Sequence, residues 1–359
     1  MLNLTLNNQK IEGEWDIDKL KGLLDELSEV TPESLELFRL DAMGIELGVL
    51  NDLAGGGSGI DGTTDPDDIP EIAEGVPPLT QLGDMYMLGE HILLCGDSLV
   101  TKDVDRLMGG EHAHMIWTDP PWNVAYGSAP VATLLGSKDR SILNDDMSDE
   151  EWLKWVEQMA QQLSRITIAG GHIYLIMGAA SWPETDINLR KANFKASGVI
   201  AWVKDTFVLG SRDYHSRWEP IWYGWKEGAA RRCPLKEDRT QDDVWEFDRP
   251  KASPHHPHSK PVALIEHALT NSSHKGDIVV DLFGGSGATM IACENTERRC
   301  RTMELDPKYA DVIVQRWADY TGREPIRINS KGEKATWTEI KSLTGFAGDP
   351  ELATGLLDE

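Results

Sequence analysis

The apolar run Ile278-Val279-Val280 leads into Asp281-Leu282-Phe283-Gly284-Gly285-Ser286-Gly287, and Gly287 to Asn295 continues at helical spacing. A buried strand, a glycine turn and a helix in direct succession make a place where backbone approaches a ligand closely. Glu304 lies 23 residues after Asp281, at the end of the next apolar stretch, Thr302-Met303. A carboxylate there can take both ribose hydroxyls of a nucleotide-like cofactor. A helix from Lys308 to Tyr320 follows.

The same alternation fills the chain from about Thr80 onward. Ile92-Leu93-Leu94 reads as a short strand closed by Gly96-Asp97, and His114 to Thr118 as another. Ser148 and Glu151 form a capping box for a helix with Trp152, Trp155, Val156, Met159 and Leu163 on one face. Strands are expected at His172–Met177, Val199–Val203 and Pro220–Trp225, and a helix through Leu269 with Pro261 in its first turn. The expected fold class is α/β: a mostly parallel twisted sheet with helices on both faces, Rossmann-like. A content of 40% hydrophobic residues with 13 Trp among 359 residues supports one large domain with appendages.

The appendages read differently. Residues 14–48 have helical spacing, with Ile17, Leu20, Leu23, Leu24 and Leu27 on one face. Gly55-Gly56-Gly57-Ser58-Gly59 and the acidic stretch to Asp68 read as a flexible linker. The expected organisation is a helical segment at 1–50, a linker at 51–79, the body at 80–330 and a tail at 331–359. No run reaches the length of a membrane span, and the N-terminus lacks a basic, signal-like start. Cys95, Cys233, Cys293 and Cys300 form no CxxC pair, which fits a reducing cytoplasm and gives no zinc or disulfide framework. His255, His256 and His258 lack a Cys or Asp at ligand spacing, so no metal is expected.

A net charge of −25 argues at first against a polyanionic partner. Residues 1–80 alone carry 18 acids against 4 bases, whereas residues 187–236 carry 10 Lys and Arg against 4 Asp and Glu. A basic stretch in an acidic chain is the pattern suited to phosphate contact, with a solvated mixed-charge surface as the plain alternative.

Two details weigh against a dinucleotide at the glycine turn. It lacks GxGxxG spacing, and Asp281 at the strand end would repel a pyrophosphate. S-adenosylmethionine has no phosphate and carries positive sulfonium and ammonium groups, which acids suit. The other chemical signature is Asp119-Pro120-Pro121-Trp122, delivered by the apolar run Met115-Ile116-Trp117. A carboxylate and a carbonyl aimed by a proline-locked backbone can accept the two hydrogens of an amine, and the indole can hold a flat ring.

Together these residues resemble the amino-methyltransferases of DNA, in the permuted β group where the catalytic tetrapeptide precedes the glycine loop. The likeness spans about residues 80–330. It rests on Leu94–Ser98, Asp119–Val124, Leu143–Glu151, Asp213-Tyr214-His215 with Glu219-Pro220, Val244–Pro250, His256-Pro257 with Lys260-Pro261, Asp281–Gly287 and Glu304–Tyr309. The chain looks most like phage and bacterial adenine methylases that follow a ParB-like module. Gly13-Glu14-Trp15-Asp16 and the helices after it resemble the end of that module. The module's nuclease part is not expected here.

The resemblance implies that Asp281, Phe283, Gly284, Gly285, Ser286 and Gly287 line the methionine side of S-adenosylmethionine. Glu304 would hold the ribose, Asp97 the adenine amine and Lys260 the methionine carboxylate. Asp119, Pro120, Pro121 and Trp122 would be catalytic, acting on a base flipped out of double-stranded DNA. His258 stands where the family more often has threonine, and Trp122 where it commonly has tyrosine. Trp keeps the stacking face, worth ~1–3 kcal/mol per base. Residues 182–250 would read DNA, with Arg212, His215, Arg217, Arg231 and Arg232 lying among Trp202, Phe207, Tyr214, Trp218, Trp222 and Trp225. Of these aromatics, Trp202 and Trp222 are expected in the core. No Pro-Cys dipeptide exists, which argues against a carbon-5 cytosine mechanism. Asp119 favours adenine by resemblance, although either exocyclic amine could donate to its carboxylate. A nucleotide-dependent oxidoreductase and a non-catalytic ParB-like DNA-binding protein are the competing readings. A homodimer and a place in a restriction-modification system are implied by resemblance alone.

Overall fold

The computed structural model describes residues 62–71, 76–124, 145–208, 213–232, 241–250 and 259–343. The helical segment expected at 1–50, Gly55–Gly59, Arg212, Cys233, His255, His256 and His258 lie outside them.

The strands, in chain order, are β1 Met85–Leu88, β2 His91–Cys95, β3 Ala113–Thr118, β4 Thr167–Ile176, β5 Phe194–Val208, β6 Ser216–Lys226, β7 Val244–Glu246, β8 Ile278–Asp281, β9 Arg299–Glu304, β10 Ile326–Ile328 and β11 Lys334–Thr336. The helices are α1 Thr101–Met108, α2 Asp149–Ile166, α3 Trp182–Lys191, α4 Val262–Ser272, α5 Ala288–Asn295, α6 Pro307–Thr321 and α7 Trp337–Leu343. All eleven strands join one sheet in the order β11-β10-β1-β2-β9-β8-β3-β4-β6-β5-β7. The sheet is mixed. Strands β2, β9, β8, β3 and β4 are parallel neighbours, flanked by antiparallel pairings on either side, and β7 closes the sheet parallel to β5.

Both faces are covered, because side chains alternate across a strand. Leu93, Met115, Trp117, Tyr174 and Val279 pack with α4, α5, α6 and α7. Leu94, Ile116, Ile173, Leu175 and Val280 pack with α1, α2 and α3. Trp202 and Trp222 are buried, as the alternation along β5 and β6 requires. Helix α2 opens on Ser148, whose hydroxyl accepts from Glu151 N at 3.4 Å while the Glu151 carboxylate accepts from Ser148 N at 3.0 Å. That reciprocal cap is worth about 1 kcal/mol.

Pro261 is the N-cap of α4 rather than its first residue, with ψ 136°. Asp67 serves the helix end instead, accepting from Val262 N at 2.9 Å. Its neighbourhood is held too, since Pro66 O accepts from Arg316 at 2.6 Å and Thr63 N donates to Tyr320 O at 2.8 Å. The expected tail from 331 includes β11 and α7, where Trp337 is buried.

Topology singles out one point on the sheet. From β3 the chain runs through α2 on one face to β4. From β8 it runs through α5 on the other face to β9. Strands β3 and β8 are neighbours, paired at Met115–Val279 and Ile116–Val280. Two parallel crossovers leaving adjacent strands in opposite directions open a crevice beyond their carboxyl ends, the usual ligand position in such sheets.

Candidate active site

The loops at that crevice are those the sequence marks. Asp119–Trp122 leaves β3 and Asp281–Gly287 leaves β8. Thr118 Oγ1 ties the two strand ends together by donating to Asp281 Oδ1 at 2.8 Å. Asp281 also accepts from Thr289 Oγ1 at 2.6 Å and from Phe283 N at 3.1 Å, so its carboxylate organises the turn from within. Burial, only partly offset by these donors, pushes it up to about 7.

The turn bends against β9 and α6. A Cβ on Gly284 would lie 2.7 Å from Thr302 Oγ1 and 2.9 Å from Ile313 Cδ1, so only glycine fits there. Gly285 takes φ +52°, and its N–H donates to Glu304 Oε2 at 2.8 Å. The other Glu304 oxygen accepts from Asp306 N at 2.8 Å. Burial raises this carboxyl to about 7 as well. Phe283 packs on Trp155 of α2, ring centroids 5.5 Å apart. Ser286 Oγ lies 2.9 Å from Ser259 Oγ, and the buried Arg316 donates to Ser286 O at 2.9 Å. One strand further, Gly96 N donates to Glu304 O at 3.0 Å, which sets Asp97 beside Glu304 at the same edge. Asp97 is half-buried, and its Oδ1 accepts from Leu99 N at 2.9 Å.

On the other side of the glycine turn stands the tetrapeptide. Pro120 is buried, while Asp119, Pro121 and Trp122 are partly exposed. Trp122 Nε1 donates to Asp119 Oδ1 at 3.3 Å, and Ser181 Oγ donates to Trp122 O at 2.9 Å. A Cβ on Gly178, after β4, would come within 2.9 Å of the Trp122 ring, so that glycine leaves room for the indole. Asn123, at φ +56°, exchanges two hydrogen bonds with the Met147 backbone, at 2.7 and 3.0 Å.

Lys260, expected to meet the methionine carboxylate, stands beside the tetrapeptide. Its ammonium lies 2.5 Å from Asp119 Oδ2 and 3.5 Å from Glu219 Oε2, against the tetrapeptide rather than the glycine turn. Its neighbour Ser259 reaches the turn, at Ser286. Burial by itself would lower this lysine, but Asp119 and Glu219 outweigh it and hold it well above its usual range. Burial raises Asp119, with Glu219 adding to the rise and Lys260 opposing it. Glu219, on β6, has no role expected from the sequence; the residue pattern offers no way to see that β6 carries it to Lys260.

The arginines and aromatics of 182–250 separate. Strand β6 runs antiparallel to β4, so its start shares the edge with Asp119 and its end lies at the opposite edge. His215 and Arg217 are exposed at the first edge, beside exposed Phe207, Tyr214 and Trp218. His215 stacks on Phe207 at 5.2 Å. Arg231 and Arg232 follow β6 at the far edge, where Arg232 pairs with Asp277 at 2.6 Å just ahead of β8. The structure does not bring these two to the site.

Among the described residues no His, Cys, Asp and Glu group suits a metal, and no helix is long and apolar enough to cross a membrane.

The chain is similar to the DNA adenine methyltransferase YhdJ of Escherichia coli (strain K12), with 23% identity over 295 residues, 73% of this chain and 94% of that protein. It is 25% identical over 238 residues to the type II methyltransferase M.HpaI of Haemophilus parainfluenzae, covering 59% of this chain and 70% of the relative. Among solved structures it is similar to the PvuII DNA methyltransferase (cytosine-N4-specific), with TM-score 0.49, 14% identity and coverage of 72% and 97%. Residues 113–315 match the DNA methylase family of N6 and N4 methyltransferases from β3 into α6, and over that span, more than half its length, the chain belongs to this family.

Proposed function

We propose that this DNA methyltransferase is a site-specific adenine enzyme of the permuted β group, using S-adenosylmethionine to methylate the exocyclic amine of a flipped-out adenine. The observation that carries the reading is the junction of Asp119–Trp122 with Asp281–Gly287 at the switch between β3 and β8, tied by the Thr118–Asp281 hydrogen bond.

The residues fit the cofactor. Asp281 and Glu304 are carboxylates raised to about 7 by burial, which suits a ligand bearing positive charge. A Cβ on Gly285 would meet nothing nearer than Phe283 O at 4.0 Å, so the turn opens outward there. Glu304 takes the ribose hydroxyls, Asp97 the adenine amine, and Phe283 to Gly287 the methionine side. S-adenosylmethionine supplies an electrophilic methyl group on a sulfonium leaving group.

The chain supplies the rest. Asp119 and the Pro120 carbonyl accept the two hydrogens of the target amine, drawing its nitrogen towards tetrahedral geometry and freeing its lone pair. Trp122 stacks on the base. The gain is orientation and placed dipoles. His215 and Arg217 contact the DNA backbone near exposed Tyr214 and Trp218, and Arg212 shares that role by its place in the sequence. The reading also includes a homodimer, a cytoplasmic location and descent of residues 1–50 from a ParB-like module.

Transfer of labelled methyl to unmethylated DNA, followed by nucleoside analysis, tests the reading, with Asp119→Ala as control. N6-methyladenine from the native protein alone supports it. N4-methylcytosine assigns the sister specificity.

Cofactor affinity should depend on pH with a definite sign. Below about 7 Asp281 and Glu304 of the free protein hold protons that a cationic ligand must displace. Affinity for S-adenosylmethionine therefore rises with pH and levels off above 7, by up to about tenfold per pH unit for one displaced proton. S-adenosylhomocysteine, lacking the sulfonium charge, shows a shallower rise. Calorimetric titration between pH 5.5 and 8 measures both, and parallel flat profiles would separate these carboxyls from the ligand.

A further inference from the structure

Four buried or half-buried charges alternate in sign behind the tetrapeptide, drawn from four parts of the chain. Asp119 follows β3, Lys260 precedes α4, Glu219 lies on β6 and Lys204 on β5. Lys260 Nζ is 2.5 Å from Asp119 Oδ2 and 3.5 Å from Glu219 Oε2, and Lys204 Nζ is 2.5 Å from Glu219 Oε1. Side-chain exposure is 9% for Lys260, 15% for Glu219 and 5% for Lys204. Both ammonium groups also face indoles: Lys260 lies 5.8 Å from the Trp122 ring and 5.9 Å from Trp202, and Lys204 lies 5.1 Å from Trp202.

Buried ion pairs are a weak source of stability, because desolvation consumes most of the attraction. Their geometric effect on Asp119 is definite. One carboxylate oxygen is held by a short charge-assisted bond. Among the described residues the other receives the 3.3 Å contact from Trp122 Nε1, a long bond that a better donor can displace. An unaccompanied carboxylate in this position would take up a proton and offer a donor where the amine requires an acceptor.

We propose that Lys260 is a positioning residue for Asp119, held in place by Glu219 and Lys204, and that Asp119 Oδ1 is the oxygen that accepts the target amine. The proposal rests on the methyltransfer reading above. Lys260 fixes Oδ2 and opposes the rise that burial imposes on the carboxyl. Glu219 gives the ammonium a second carboxylate, and Lys204 neutralises Glu219 so that Lys260 is not drawn away from Asp119. Trp122 gives up its bond to Oδ1 as the amine arrives and keeps its ring for stacking. Among the described residues, the charged groups facing Lys260 include Asp119 and Glu219, with Lys204 paired to Glu219; Asp281 lies within electrostatic reach of Asp119.

The test compares Lys260→Met, Lys260→Arg and Glu219→Gln in the full chain. In Lys260→Met, single-turnover methyl transfer should fall about a hundredfold, of the order seen when one placed polar group is removed. Its acid limb should move up by roughly one pH unit or more, since a cation in contact with a carboxylate lowers it by that much. Affinity for S-adenosylmethionine should stay within threefold of native (about 0.65 kcal/mol). Lys260→Arg should return the acid limb to its native position. Where Lys260→Met fails to fold, Glu219→Gln carries the test, with about a tenfold fall in rate at unchanged cofactor affinity. A loss of cofactor affinity in Lys260→Met with an unmoved acid limb would overturn the proposal and return Lys260 to the methionine carboxylate. Titration of the Asp119 carboxyl by carbon NMR, native against Lys260→Met or Glu219→Gln, needs no turnover. A native protein that methylates no DNA sinks the methyltransfer reading, while this titration still decides whether Lys260 controls Asp119.

Discussion

Asp119→Asn should lower single-turnover methyl transfer by about two to three orders of magnitude, the effect of removing one preorganised partner of developing charge. Affinity for S-adenosylmethionine should stay within severalfold of native. The substitution keeps the shape of the side chain and changes only what it can accept. Its single carbonyl oxygen stays with the Lys260 ammonium, now at 2.5 Å from Oδ2. The amide nitrogen then replaces Oδ1 and points two hydrogens at an amine that needs an acceptor. Asp119→Ala removes that conflict but strips Lys260 of its nearest carboxylate, so it should also lose stability. Rapid-quench kinetics with calorimetry of cofactor binding separates the effects. A rate for Asp119→Asn within tenfold of native would mean that the carboxylate does not receive the amine.

The parts of this site visible from sequence are those where a motif is contiguous. Ile278–Gly287 reads as strand and turn because its periodicity, its glycines and its acid lie side by side. Ser148 and Glu151 read as a cap for the same reason. The ends of strands were harder to place. Strand β5 runs Phe194–Val208 around the expected Val199–Val203 core, since its ends lack the apolar alternation that marks a half-buried strand. Helix α1 carries Val104, Leu107 and Met108 inward among charged residues, too short a pattern to register. Helix α3 begins at Trp182-Pro183 and carries only a weak apolar face. The balance of parallel and antiparallel pairing is set by where each crossover returns, which local pattern does not encode.

Long-range partners were the larger gap. The pairing of Lys260 with Asp119, 141 positions earlier, leaves no signature in the local residue pattern. Arg231 and Arg232 shared a basic stretch with Arg217, yet one antiparallel strand carries them to opposite edges of the sheet. Net charge along a sequence window cannot distinguish those edges, because a strand of eleven residues spans the whole sheet.

Glu294→Ala should cost about 3 kcal/mol of stability, mostly by leaving buried donors without an acceptor. Glu294, on α5, accepts from His91 Nε2 at 2.9 Å, from Trp317 Nε1 at 2.9 Å and from Arg323. His91 Nδ1 accepts from Cys300 N at 2.9 Å, which places the imidazole hydrogen on Nε2, facing Glu294. One carboxylate thereby joins β2, α5, α6 and the chain after α6. Arg323 is partly exposed and regains water when its partner is removed, so the loss comes from the imidazole and the indole. Urea unfolding should show a lower midpoint with an unchanged m-value. Burial alone would raise the Glu294 carboxyl, but the His91 and Trp317 hydrogen bonds and the Arg323 charge outweigh it and bring it down to about 2. A carboxyl lowered on folding contributes stability above its unfolded value and loses it as pH falls through the folded one. The difference between native protein and variant should be flat above about pH 4.5 and shrink towards pH 2. Asp281 and Glu304 act in the opposite sense, because their folded values near 7 make the native state lose stability as pH rises from about 4 to 7. Cofactor binding should offset that second loss and leave the first untouched. A difference between native and Glu294→Ala that stays constant down to pH 2 would show that the carboxylate is not the charge holding these elements together.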